Sequence, residues 1–598
     1  MLGKVTQSKK KLPRLEALQC QTLDTGLLPV SSAQLRSRLN AGRREGADVP
    51  PLYAANTGVA ICAGLFSLGA AYVYINNQAI KKAQALAAAA QPVPLTAVKA
   101  DGSRASYSSD VSPAPQSPDD PNPATLFRLQ QLFEVNGDKL SQIAKHMVAE
   151  MKKGLATDEA SEYHFSPNNS WSPTSTCANS LHTAMKMIPT HVVRRPKGDE
   201  TGSYLALDLG GTNFRVCEVI LDGRGGTRVR QSKHTVTDDL KSGTGAALFD
   251  FFAECVKSFL LADDQKNITE ADLHSTEYKL GFTFSFAVNQ VSINEGYLLT
   301  WNKGFSASDC VGKDAVVLLQ DAFKRKKMNV SVTALVNDTT GTLVSHAYTA
   351  PDTYVGVILG TGTNAAYVEK IENIVKYKKD PHGARDMIIN TEWGAFDDEM
   401  VVIPRTKYDH KVDRGTAHSK SWTFEKLISG MYLGEIVRYI LADLVKTGEI
   451  YIVGGSKSKT LSVPYAFETA FMSRIERDHS LDLSDVRTVL EDLMHIPNTT
   501  LADRRLTKAI CEMVGKRAAR LSAAGVAAIV TKMNKLDGCT VGIDGSLFEL
   551  YPHFSNRMRD ALHEILGFSA DNVVLEQARD GSGQGAALIA ALAGKLTN

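Results

Sequence analysis

Three short apolar runs that end in glycine-rich turns constrain the fold of this chain more than any other feature. They are LDLGG at 207–211, YVGVILG at 354–360 and TVGIDG at 540–545. Each reads as a buried β-strand entering a tight turn. Between them lie amphipathic stretches, Ala246–Leu261 and Phe424–Leu444, whose apolar residues recur at helical spacing. Strands and helices mixed in this way predict α/β layers. A fourth glycine-rich segment, Asp580-Gly-Ser-Gly-Gln-Gly585, precedes an Ala-rich helix near the C-terminus.

The turns have the chemistry of anion sites. In Asp208-Leu-Gly-Gly-Thr-Asn-Phe-Arg215, Gly210 and Gly211 let backbone amides approach an anion. Thr212, Asn213 and Arg215 add side-chain donors, and Asp208 acts through water or Mg²⁺. The second turn, Gly360-Thr-Gly-Thr-Asn364, offers Thr361, Gly362 and Thr363; the third ends in Gly545 and Ser546. Four such turns, two of them sharing a Gly-Thr-Asn form, predict a nucleotide held between two related lobes. No GxxxxGK[ST] segment occurs, which argues against a P-loop enzyme. The glycines do not open a helix as GxGxxG with an acidic residue about 20 positions on, which argues against a Rossmann dehydrogenase.

At 598 residues the chain suits two or three domains, and its net charge of +2 gives no reason to expect a nucleic-acid partner. Eight scattered cysteines without a CxxC pair predict reduced thiols in the cytosol and no zinc site. Residues 1–57 are basic and polar. Residues 58–75 carry no charge, and as a helix they would rise about 27 Å, enough to span a hydrocarbon core. This run starts too deep for a cleavable signal peptide and is expected to be a transmembrane anchor. Residues 83–123, Ala-rich and then Pro/Ser-rich, read as a disordered tether. Ser161–Ser180 reads as a surface loop.

Four further segments carry a resemblance. They are Leu280-GFTFSFAVNQVSINEGYLLTWNKGF-305, Leu335-VNDTTGTL-343, Asn390-TEWGAFDDE-399 and Phe424-EKLISGMYLGE-435. From about residue 126 to the C-terminus the chain resembles the hexokinase/glucokinase family, fungal type. The resemblance implies an actin-like ATPase (ribonuclease H-like) fold, with two lobes, each holding a five-stranded mixed sheet, closing on a sugar in the cleft. It places the large lobe at 126–195 with 338–584 and the small lobe at 196–337 with 585–598. It implies ATP with Mg²⁺ and a hexose, glucose foremost, phosphorylated at the 6-hydroxyl. Asp338 is then the base that takes the hydroxyl proton, and Lys303 lies next to the reacting oxygen. Ser285, Asn302, Asn337, Asn364, Glu392 and Glu425 match sugar-binding positions. The nucleotide is expected against Thr361, Gly362, Ser546 and the Asp208 loop.

The chain also departs from the family pattern. Ala287 stands for the usual proline, Asn302 for threonine and Thr340 for valine. Trp422 stands where animal members often carry glutamine, and Thr235-Val-Thr-Asp replaces an Ile-Pro dipeptide. Most of these departures fall in the sugar half. The chain is thereby similar also to the atypical, mitochondria-associated hexokinase-like proteins of filamentous fungi, which implies an alternative as a regulator of carbon nutrition with impaired turnover. A basic N-terminus before a moderately apolar run suits attachment to the mitochondrial outer membrane, with residues 83–598 in the cytosol.

Overall fold

Asn122 accepts from the N–H groups of Ala124 and Thr125 and so caps the first helix, α1 (Pro123–Phe133). Proline opens a helix readily because its missing N–H would have no intrahelical partner there. Pro123, expected in the tether, is therefore helical. Just before it, Arg505 donates to the Asp119 carbonyl at 3.1 Å and to the Asp120 carboxylate at 2.7 Å. The computed structural model describes residues 119–156, 163–165, 171–173, 185–210, 213–263, 266–301, 304–379, 383–451 and 459–594. The basic segment 1–57, the expected anchor 58–75 and the tether up to residue 118 lie outside the described residues. Among the described residues no helix is long and apolar enough to cross a membrane.

After α2 (Gly137–Ala156), the expected loop 161–180 contains a short antiparallel pair, Tyr163–Phe165 with Trp171–Pro173. Its aromatic residues favour extended chain. Next come β1 (Ile188–Pro189), β2 (Thr201–Leu209), β3 (Asn213–Asp222), β4 (Thr227–Thr235), α3 (Gly245–Leu261) and β5 (Tyr278–Phe284). A hairpin, β6 (Ala287–Ser292) with β7 (Glu295–Thr300), leads to α4 (Ala315–Arg325), β8 (Val330–Val336) and α5 (Asp338–Thr349). The second half holds β9 (Thr353–Leu359), β10 (Thr363–Lys370), β11 (Asp386–Asn390), α6 (Thr423–Ile428), α7 (Gly430–Thr447) and α8 (Leu501–Met533). It ends with β12 (Cys539–Asp544), β13 (Val573–Gln577) and α9 (Gly581–Gly594).

The strands form two sheets of one design. In the first, ordered β8-β5-β2-β3-β4, the three strands β8, β5 and β2 are parallel, and β3 and β4 follow antiparallel. In the second, ordered β13-β12-β9-β10-β11-β1, β13, β12 and β9 are parallel and the rest antiparallel. The glycine-rich segments after Leu209 and Leu359 therefore occupy equivalent places in the chain, each between the innermost parallel strand and its antiparallel neighbour. The second sheet has six strands rather than the expected five, because Ile188–Pro189 pairs with Ile389–Asn390.

Each sheet has its own core, one around Leu207, Phe249, Phe282 and Phe323 and the other around Val355, Tyr367, Trp393 and Val526. A third core joins Ala206 and Val336 of the first sheet to Ala366 and Ile388 of the second, through Leu343 of α5 and Ala587 of α9. Helix α9 is apolar all round because it is covered on every side. Cys217, Cys255, Cys310, Cys511 and Cys539 are free and buried.

Two expectations change. The stretch Phe424–Leu444 is two helices, broken at Ser429, whose backbone is extended at φ −91°, ψ 153°. The break frees the first N–H groups of α7, so that Gly430 donates to Gly360 O at 2.8 Å and Met431 to Thr361 O at 3.1 Å. The segment Asp580–Gly585 is not a free turn either, because α9 begins at Gly581. Its glycines serve a helix crossing. A Cβ on Gly585 would collide with the backbone of Gly341 in α5, and one on Gly341 would lie 2.8 Å from Ser582 O.

Candidate active site

The phosphate-type turns meet through a chain of contacts. Gly545 adopts φ 119°, a conformation open to glycine, and a Cβ there would clash with Leu359 O and lie 2.8 Å from Gly360 N. The second and third turns are therefore held backbone to backbone. Thr361 and Ser546 are exposed beside this junction. Asp544, at the end of β12, accepts from Gly581 N at 3.3 Å. Burial pushes the Asp544 carboxyl above the usual carboxylate range. Ser582 then donates to Asp208 at 2.8 Å, which brings in the first turn.

Arg215 links two aspartates. It faces Asp208 across the β2–β3 ladder, with Nε at 3.1 Å and Nη2 at 2.5 Å from Asp208 Oδ2, and its Nη1 donates to Asp580 at 2.8 Å. Burial works against its charge, yet these carboxylates hold the guanidinium above its ordinary range. Its donors thus reach two aspartates, one from the first sheet and one from the approach to α9. Gly211, Thr212 and the side chain of Asn213 lie outside the described residues, and Gly210 directly follows β2.

On the sugar side, the carboxyl ends of the parallel strands β2, β5 and β8 lie along one edge, and they carry Asp208, Ser285 and Asn337 with Asp338. Ligands in open α/β sheets bind outside such strand ends. Ser285 is buried, and its N–H reaches Leu209 O at 3.5 Å. Asn337 caps α5, its side-chain oxygen accepting from Thr339 N at 3.0 Å. Asp338 occupies the first turn, half-buried, and accepts from Thr339 N at 2.8 Å. Asn302 and Lys303 lie outside the described residues. Their flanks are packed, with Trp301 stacked on Phe305 at 5.4 Å and edge-on to Phe286 at 4.9 Å.

The second sheet supplies a compact acid–amide cluster. Asn364 donates to Asn390 at 2.8 Å and to Glu392 at 3.2 Å, and Asn390 donates to Glu392 at 2.7 Å. Glu425, on α6, accepts from Thr363 N at 3.0 Å, so it sits directly beside the second phosphate-type turn. Glu392 and Trp422 both adopt left-handed backbone, at φ 52° and φ 57°. Sequence reasoning overlooked Asn390, Asp398, Asp544, Asp580 and Ser582. Asn390 and Asp398 lay within the motif Asn390–Glu399, and Asp580 and Ser582 within the fourth glycine-rich segment; only their partners in space single them out.

Comparison with known proteins agrees with this geometry. Two family models, both described as hexokinase, match residues 125–348 and 354–592. A Schizosaccharomyces pombe hexokinase-1 is 40% identical over 476 residues, covering 79% of this chain and 91% of that protein. A glucokinase of Aspergillus niger is 40% identical over 446 residues, 69% of this chain and 90% of its own length. Among solved structures, a Schistosoma mansoni hexokinase complexed with glucose superposes with a TM-score of 0.68 at 34% identity, over 78% of this chain and 98% of that one. The paired sheets and this likeness define an actin-like sugar-kinase fold. The chain belongs to the hexokinase family.

Proposed function

We propose that this protein transfers the terminal phosphoryl group of ATP to the 6-hydroxyl of a hexose, glucose being the foremost candidate. The observation that carries the reading is the bond from Thr363 N to Glu425, which sets an expected sugar-binding carboxylate against a phosphate-type turn. Phosphoryl transfer needs positioning, charge stabilisation and one acceptor for the hydroxyl proton. Asp338 is the acceptor, and Lys303 stands next to the reacting oxygen. Ser285, Asn302, Asn337, Asn364, Glu392 and Glu425 bind the sugar hydroxyls, with Asn390 orienting Glu392. Each buried polar group left unpaired costs about 1–3 kcal/mol, so such an array favours a polyhydroxyl ligand. The nucleotide lies against Asp208, Gly210, Gly211, Thr212, Asn213, Thr361, Gly362, Thr363, Gly545 and Ser546. Arg215, which also pairs with Asp208 and Asp580, completes the nucleotide set. Mg²⁺ enters with ATP as part of the substrate. Membership in the hexokinase family supports the whole assignment.

The large lobe is taken as 126–195 with 338–584 and the small lobe as 196–337 with 585–598, a division that the two sheets support. Residues 58–75 anchor the protein to the mitochondrial outer membrane, with the kinase body in the cytosol. The charge-free run behind a basic segment supports this placement, and a fluorescent fusion of residues 1–90 that stays soluble would refute it. For the activity, the full chain is assayed with MgATP and glucose in a coupled reaction. Sugar-dependent ADP release is expected; its absence would remove the reading.

A further inference from the structure

Glu392 and Glu425, the two carboxylates assigned to the sugar, come from separate segments, and the side chain of Asp398 ties those segments together. From Glu392 the chain runs through tight turns. Ala395 donates to Glu392 O at 3.2 Å, Phe396 to Trp393 O at 2.9 Å and Asp398 to Ala395 O at 3.3 Å. Asp398 is thereby held at a fixed offset from Glu392. Its half-buried carboxylate accepts the N–H of Trp422 at 3.1 Å on one oxygen and that of Thr423 at 2.8 Å on the other. These donors stand at the start of α6, the helix that carries Glu425, where N–H groups have no intrahelical partner. Trp422 offers no side-chain cap of its own, so Asp398 caps α6 from 24 residues away. The contact around this clamp is close. Phe424 stands edge-on to both Trp393 and Phe396, with ring centroids 5.6 Å apart in each pair. Arg405 donates to Asp397 O at 2.9 Å and to Thr423 Oγ1 at 3.1 Å. A Cβ on Gly394 would lie 3.1 Å from Trp422 Cε3 and 3.3 Å from Glu425 Cβ, so the segment that follows Glu392 touches the stem of Glu425.

We infer that Asp398 is a positioning residue for the proposed phosphoryl transfer: it acts through Glu425, setting that carboxylate relative to Glu392. The inference rests on the hexose-binding reading above. A sugar held by several hydroxyls needs its partners at mutually fitting places, and a misplacement of about 1 Å can cost roughly 100-fold in rate. Glu425 lies in the first turn of α6, where release of the helix start displaces it most. Its carboxylate is fixed from the other side by Thr363 N. The clamp needs both oxygens of Asp398, because two backbone donors point at it. An asparagine keeps one acceptor oxygen and turns an NH₂ group toward the other N–H, so it breaks half of the clamp at unchanged size.

The test is a double-mutant cycle on glucose binding, read by calorimetric titration of the full chain. Asp398→Asn is expected to weaken glucose binding roughly tenfold in the wild-type background. In the Glu425→Gln background the same substitution should cost less than about threefold, because residues that act as one unit are not additive. A residue that only stabilises the fold would lower the affinity by the same factor in both backgrounds. Equal factors would therefore overturn the inference, and so would an unchanged affinity in Asp398→Asn alone. Hydrogen exchange on the wild type decides where the variant fails to fold. The amides of Trp422 and Thr423 should exchange at least about 100-fold more slowly than in an unstructured peptide, and glucose should slow them further. Fast exchange at these amides, or exchange that glucose leaves unchanged, would overturn the inference. The two readings fail differently: a wild type that binds no glucose removes the hexose reading and this inference with it, whereas equal factors with glucose bound remove the positioning role alone.

Discussion

Glu425 accepts the backbone N–H of Thr363 at 3.0 Å, so a carboxylate proposed to bind the sugar rests on a turn proposed to hold the nucleotide. On that reading a sugar hydroxyl at Glu425 would bear on the same residue that holds Thr363. The other side of that turn rests on the first N–H groups of α7. The turn is thus held from two directions before any ligand binds.

Glu425→Gln tests this junction. The amide keeps an oxygen for Thr363 N but loses the charge that strengthens hydrogen bonds to hydroxyls. Hydrogen bonds to charged groups contribute about 1.5–3 kcal/mol, so glucose affinity should fall roughly 10- to 100-fold. Isothermal titration reads the change; an unaltered affinity would take Glu425 out of the sugar site.

Thr340→Val should stabilise the protein. Thr340 is fully buried in α5, and its Oγ1 has no hydrogen-bond partner. A buried hydroxyl left unpaired costs about 1–3 kcal/mol, and valine has nearly the same shape. The unfolding midpoint in urea should rise. A lower midpoint would mean that the hydroxyl is satisfied in solution.

Glu150→Gln should alter the pH dependence of stability. Glu150 lies on α2 with one carboxylate oxygen buried and unpaired and the other 3.2 Å from His146 Nε2. Burial, with the charges of Asp397 and Glu399 and against that of Lys153, raises its pKa from 4.5 to about 7. The folded state therefore holds this proton more tightly than the unfolded chain does. The resulting stability is complete below pH 4.5 and is lost as pH rises through about 7. The glutamine variant imitates the protonated form, so its melting temperature should match the wild type near pH 4.5 and exceed it at pH 8. Parallel curves across that window would contradict the assignment.

Much of the fold is legible because local pattern and tertiary role agree. Leu205, Leu207 and Leu209 read as a strand and are buried as one, and the two Gly-Thr-Asn segments follow equivalent strands in two sheets of one design. The pattern misleads where packing decides. Gly581, Gly583 and Gly585 look like a loop but let α9 cross α5, and the apolar spacing through Phe424–Leu444 does not reveal the break at Ser429 that seats α7 on Gly360. The pairing of Arg215 with Asp580 is invisible in the sequence because the two stand 365 residues apart. Trp422 is visible as a departure from the family pattern, whereas its strained backbone and its seat on Gly394 depend on Asp398, which sequence spacing alone does not bring near.

The central claim is that Asp338, in the first turn of α5, takes the proton from the sugar 6-hydroxyl. Asp338→Asn keeps the shape of the side chain and removes its basicity. Steady-state turnover of the full chain with MgATP and glucose, measured beside glucose binding, tests the claim most directly. The account predicts a turnover number lower by about 10²–10⁴-fold with glucose binding retained, the range by which a positioned base accelerates proton transfer. A variant that turns over glucose at the wild-type rate would contradict it.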